Sequence, residues 1–195
     1  MDLVRKLCME CGARSVRVAT NETERARLWQ GRKKAFGAMG RLAPNLAVQD
    51  AVIPRTRLAE VLAQIHAIAD SHGVTVCNVF HAGDGNLHPN VSYDAGDPDQ
   101  VRRVHESMAA MMQACIAAGG SITGEHGVGL DKLRYMPLLF DEPTLAAMCD
   151  LRTAFDPAQR SNPGKVVPVH SCREWHGAPA VRAGEIASEV ASDAG

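Results

Sequence analysis

An α+β fold built on a ferredoxin-like core is predicted by three features of this chain. Strand, helix, strand, strand, helix and strand follow one another between residues 46 and 123, a glycine-bearing hairpin turn sits at their centre, and both helices carry their apolar residues on one face. Such an order closes as a four-stranded antiparallel sheet (βαββαβ) with two helices on one side.

The elements follow in sequence. A strand is expected at 46–53, then a helix at 55–71 with Leu58, Val61, Leu62, Ile65 and Ile68 on one face, then a strand at 74–81. The stretch 82–86 turns the chain into a strand at 87–93. A helix from 98 to 118 carries Val101, Val104, Met108, Met111 and Cys115 at helical spacing, and a short strand at 121–123 follows Gly119 and Gly120. Two further helices are predicted at 130–140 and 142–155, the second begun by Asp141 with Pro143 in its first turn and stopped by Asp156 and Pro157. Before the sheet, residues 1–45 read as a lead-in of helix (2–12), strand (15–19) and helix (20–38, capped by Thr20 or Asn21). The substrate and metal domain is expected at 46–168, and the alanine-rich residues 169–195 as a mostly disordered tail.

Composition bounds the function. The 195 residues suit one ordinary domain, and 46% hydrophobic against 22% charged residues gives enough apolar surface for a core. With 21 basic against 22 acidic side chains there is no net field to draw nucleic acid or an anionic membrane. No apolar run has the length of a membrane span, and the first residues lack a secretory h-region, so a cytosolic chain is expected. The six cysteines are then expected as reduced thiols, the Cys8–Cys11 C-x-x-C included.

The chemistry concentrates at His81-Ala82-Gly83-Asp84-Gly85-Asn86-Leu87-His88. A hairpin closing there brings the two imidazoles to adjacent strand ends, within reach of one ion. Gly124-Glu125-His126-Gly127 adds a carboxylate and another imidazole past the last strand. Two histidines and one carboxylate leave coordination positions open, as catalytic sites for zinc and other divalent metals do. His66, His72, His105, His170 and His176 read as ordinary solvated or hydrogen-bonded side chains.

Five segments in order carry a resemblance: 28–33 (Leu-Trp-Gln-Gly-Arg-Lys), 49–55 (Gln-Asp-Ala-Val-Ile-Pro-Arg), 81–89, 121–129, and 154–157 with 162–165 (Asn-Pro-Gly-Lys). In these the chain resembles the C-terminal part of the FAD-linked 2-hydroxy-acid oxidases and dehydrogenases of the vanillyl-alcohol-oxidase type, above all the large flavin subunits of glycolate oxidases. The resemblance implies oxidation of a 2-hydroxy acid, of glycolate or D-lactate type, with hydride transfer to FAD. It implies that His81, His88 and Glu125 bind a divalent metal, zinc or manganese, and that His126 is the base for the substrate hydroxyl. Arg32 matches an arginine that pairs the substrate carboxylate, Asn90 a polar substrate contact, and Asn162 and Lys165 the segment that returns to the flavin. No glycine-rich pyrophosphate cradle is visible, so most of the FAD surface is expected from an N-terminal domain or subunit. An iron–sulfur subunit and peripheral attachment to the inner membrane through partners are further implications. Two other readings stand beside this one: a self-contained metalloenzyme of hydrolytic or oxygen chemistry, and a non-catalytic metal-binding fragment or interaction module.

Overall fold

A computed structural model of the chain describes residues 1–168, and the expected disordered tail lies outside them. Two compact units divide it, Met1–Arg41 and a second beginning at Leu42. In the first, α1 spans Asp2–Glu10 and α2 spans Glu22–Met39, while residues 13–19, expected to include a strand, form none. Helix α2 has a reciprocal N-terminal cap: the Asn21 side chain accepts from the Glu24 N–H (2.9 Å), and Glu24 accepts in turn from the Thr20 N–H (2.9 Å) and from Arg17 (2.8 Å). The Thr20 N–H, followed by Arg17, pulls the Glu24 carboxyl down to about 2.

In the second unit, β1 (Asn45–Val48), β5 (Pro89–Tyr93) and β3 (Thr75–Asn78) form an antiparallel sheet in the order β1-β5-β3, with Val48 opposite Asn90 and Cys77 opposite the same residue. Strands β2 (Ala51–Val52) and β4 (Asn86–Leu87) make a separate antiparallel pair. Mixed α and β structure is therefore as expected, but the continuous four-stranded sheet is not. The strand expected at 46–53 breaks at Gln49 and Asp50, whose main-chain and side-chain groups are drawn off to other partners. The strand expected at 87–93 breaks at His88, next to Pro89, which has no N–H for a ladder. A single bridge, Val52 to Ser121, is all that forms of the fourth strand, and His81 meets Asn86 through another.

Helices α3 (Leu58–His72) and α4 (Pro98–Ala117) pack along each other and cover this sheet. Gly73 ends α3 in the left-handed conformation at φ 62°, and Asp97 caps α4 by accepting from the Asp99 and Gln100 N–H groups. Val61, Ile65 and Ala69 of α3 and Val104, Met111, Met112 and Cys115 of α4 meet Ala51, Ile53, Leu87 and Val91 in one core. Removing this apolar surface from water, at roughly 25 cal/mol per Å², is the main force holding the unit together. The helix expected at 130–140 is instead a 3-10 turn at Leu133–Tyr135 followed by the four-residue α5 (Met136–Leu139), with Pro137 in its first turn. Helix α6 (Glu142–Phe155) starts at the expected Asp141 cap, which accepts from Thr144 N–H, and buries Leu145 and Cys149. Cys8, Cys11, Cys77 and Cys115 are free thiols, whereas Cys149 is disulfide-bonded, a departure from the reduced state expected of all six. No helix among the described residues is long and apolar enough to cross a membrane.

Candidate metal centre

His88 lies in the one-residue gap between β4 and β5 and exposes only 7% of its surface. Its Nδ1 is 3.1 Å from the Gln49 carbonyl oxygen. A carbonyl only accepts, so Nδ1 carries the proton and Nε2 presents its lone pair outward. The Glu125 Oε1 stands 3.0 Å from that Nε2, 3.6 Å from His126 Nε2 and 3.7 Å from His81 Nε2. The His126 ring stacks on His88 with centroids 4.9 Å apart and 11° between planes, and His81 meets His88 edge-on at 5.6 Å.

A carboxylate oxygen ringed by imidazole nitrogens calls for something positive between them, a shared proton or a cation. Two donors each about 2.1 Å from one tetrahedral ion lie roughly 3.4 Å apart, and the 3.0 and 3.7 Å separations bracket that value. His81, His88 and Glu125 therefore fit a divalent cation in chemistry and in spacing. Asp50, His88 and His126 form a second, overlapping group of the same kind.

Asp50 was not singled out by sequence reasoning. Fully buried at the break between β1 and β2, its Oδ2 accepts from Thr123 Oγ1 (2.6 Å), from the Gly124 and His126 N–H groups (both 2.9 Å) and from the Glu125 N–H (3.2 Å). Lys132, itself buried, donates to the same oxygen (3.2 Å) and to the Asp50 carbonyl (2.7 Å). Burial pushes the Asp50 carboxyl up, but the Thr123 hydroxyl and the three N–H groups outweigh it and hold the group well below the usual carboxylate range. Burial lowers the Lys132 ammonium, with Asp50 pulling the other way. A charged residue inside an apolar strand, as Asp50 is in 46–53, was the available signal; Lys132 had none, because only the turn at 129–132 brings it inward.

The remaining expected residues are placed as follows. Asn90 has no exposed surface; its amide donates to the carbonyls of His88 (2.7 Å) and Cys77 (3.2 Å), and its Oδ1 has no hydrogen-bond partner among the described residues. Asn162 and Lys165 share the loop after α6, where Lys165 Nζ donates to Asn162 Oδ1 (3.2 Å) and Arg152 donates to both of their carbonyls. Arg32 lies in the first unit, exposed on α2 and without a hydrogen bond or ion pair among the described residues.

Comparison with known proteins places the chain in a family. The chain is 40% identical over 173 residues to glycolate oxidase subunit GlcD of Escherichia coli, a match covering 88% of this chain and 35% of that protein. It is 31% identical over 147 residues to a mitochondrial D-lactate dehydrogenase (cytochrome) of Arabidopsis thaliana, covering 74% and 26%. To the D-2-hydroxyglutarate dehydrogenase of Escherichia coli it is 34% identical over 146 residues, covering 73% and 14%. The chain thus spans about a third of the length of the glycolate oxidase subunit it matches. Residues 1–166 match the family profile described as FAD linked oxidases, C-terminal domain, and the chain belongs to that family.

Proposed function

We propose that this chain is the substrate- and metal-binding part of an FAD-dependent oxidoreductase that converts a 2-hydroxy acid of glycolate or D-lactate type to the 2-oxo acid. The observation that carries the proposal is the position of Glu125 Oε1, within 3.0 to 3.7 Å of the Nε2 atoms of His88, His126 and His81. His81, His88 and Glu125 hold a divalent cation, zinc or manganese. When bound, the cation supplies Lewis-acid polarisation of the substrate hydroxyl and FAD supplies the acceptor for the hydride.

This chain's own residues do the rest. His126, half exposed beside Glu125, takes the hydroxyl proton at Nε2. Its ring is held in place by stacking on the buried His88. The guanidinium of Arg32 pairs the substrate carboxylate through a two-pronged hydrogen bond. Asn90, expected as a substrate contact, has no exposed surface and both amide hydrogens on the His88 and Cys77 carbonyls, so it supports the main chain at His88 rather than touching substrate. Asn162 and Lys165 face the flavin, whose main binding surface comes from a separate FAD-binding domain or subunit. An iron–sulfur subunit as electron partner and a cytoplasmic place peripheral to the inner membrane belong to the same proposal.

Two variants test the roles in enzyme assembled with its FAD-binding part. His126→Ala is expected to abolish most flavin bleaching by glycolate or D-lactate, a loss of at least about a hundredfold, with metal content nearly intact. His81→Ala is expected to lose both. Equal metal loss in the two variants makes His126 a ligand and overturns the assignment.

A further inference from the structure

The last main-chain ladder contact before the candidate centre is at Ser121, so no regular structure sets the path of the segment that carries Glu125 and His126. What does converge on it is one buried carboxylate. The N–H groups of Gly124, Glu125 and His126 all point at Asp50 Oδ2, at 2.9, 3.2 and 2.9 Å. Three successive N–H groups turned to one point form a concavity that binds anions. Here the anion is the protein's own, contributed from more than seventy residues away. Thr123 closes the arrangement from both sides, its Oγ1 donating to Asp50 (2.6 Å) and accepting from the Gly127 N–H (2.8 Å). Lys132 neutralises the carboxylate from inside the core.

The same break in the sheet also orients His88, since the Gln49 carbonyl holds its Nδ1. One dipeptide therefore governs the buried ligand His88 through a main-chain group, and the exposed ligand Glu125 and the base His126 through a side chain.

We infer that Asp50 is a positioning residue, which fixes the path of residues 123–127 and so aims Glu125 at a bound divalent cation and sets His126 beside it. This rests on the metal-binding reading above. Partners outside the coordination sphere typically change metal affinity by about 10- to 100-fold, and Asp50 acts on two site residues at once.

The experiment uses the full chain and Co2+ as the probe, reading affinity by competition, the visible spectrum of the bound ion, and stability in urea. Asp50→Asn is expected to weaken Co2+ binding by about 10- to 100-fold and to alter the spectrum. Asp50→Asn combined with Lys132→Met removes both buried charges, so it separates charge balance from positioning. The double variant is expected to keep the affinity loss even where it recovers stability. Thr123→Val, a milder change should Asp50→Asn fail to fold, is expected to lose about three- to tenfold.

Binding by Asp50→Asn as in the unaltered chain, or full recovery in the double variant, overturns the inference. Should Asp50→Asn not fold, unaltered binding by Thr123→Val does so. His81→Ala and Glu125→Gln serve as references. If these bind Co2+ as the unaltered chain does, the metal-binding reading itself fails. If they lose it while Asp50→Asn and Thr123→Val keep it, only the positioning role fails.

Discussion

The candidate centre has a buried half and an exposed half. Asp50, His88 and Lys132 are shut away from solvent, while His81, Glu125 and His126 leave 47%, 51% and 47% of their side chains exposed. Every polar group of the buried half but one is committed: His88 Nδ1 to Gln49, Asp50 to the loop and to Lys132, with only His88 Nε2 left facing the site. In the exposed half, Glu125 Oε1 is the common contact of both imidazoles. A frame oriented in advance therefore carries side chains that remain open to ligand and substrate. Separating rigid support from reactive groups in this way is how a site keeps its geometry through turnover.

Breaking the buried half should have the larger effect. His88→Ala is expected to reduce Co2+ affinity more than a hundredfold and to lower stability by about 2 kcal/mol, because a buried carbonyl loses its donor and a cavity opens. His81→Ala should lose comparable affinity with stability changed by less than about 0.5 kcal/mol. Urea unfolding beside metal competition separates the two. A smaller effect is expected at the junction of the halves. A Cβ at Gly124 would lie 2.7 Å from Asn86 Oδ1 and from Val52 Cγ2, so in Gly124→Ala the loop or these two packed side chains must shift. A loss of about tenfold in Co2+ affinity, with a changed spectrum, is the expected reading.

The least effect concerns burial away from the centre. Burial pushes the Cys115 thiol up to about 11, so it stays protonated at pH 8, while exposed Cys11 reacts. Iodoacetamide labelling followed by mass spectrometry should modify Cys11 and leave Cys115 untouched. Because the folded value is raised, the stabilisation is complete below the unfolded thiol's range and is lost as pH rises through about 11.

Much of this was legible before the fold was known. The periodicity of α3 and α4, the Asp141 cap, and the hairpin that joins His81 to His88 are local signals, each written within about twenty residues. The proximity of Glu125 to both histidines was expected from a four-stranded sheet; the structure brings the three together through the Val52–Ser121 bridge and the Asp50 contacts instead. Asp50 and Lys132 were not recognised, because a lone charge gives no periodic signal and their pairing depends on the completed core. The strand breaks escaped for a related reason. Gln49, Asp50 and His88 have strand-compatible neighbours, and only their distant partners pull them out of the ladder. Residues 130–140 show the opposite failure, an apolar pattern that Pro137 and the inward turn of Lys132 cut short.

The bonds from Thr123 and His126 to Asp50 join residues 73 and 76 positions apart, and that from Lys132 spans 82. Closing a chain segment of that length costs about 4 kcal/mol by the length-dependent part of loop entropy alone. The His81–His88 hairpin can form early in folding, but its carboxylate partner arrives only after the chain has come together around α3 and α4. An ion held by all three would act as a cross-link over the 44 positions from His81 to Glu125, opposing unfolding as well as serving the site.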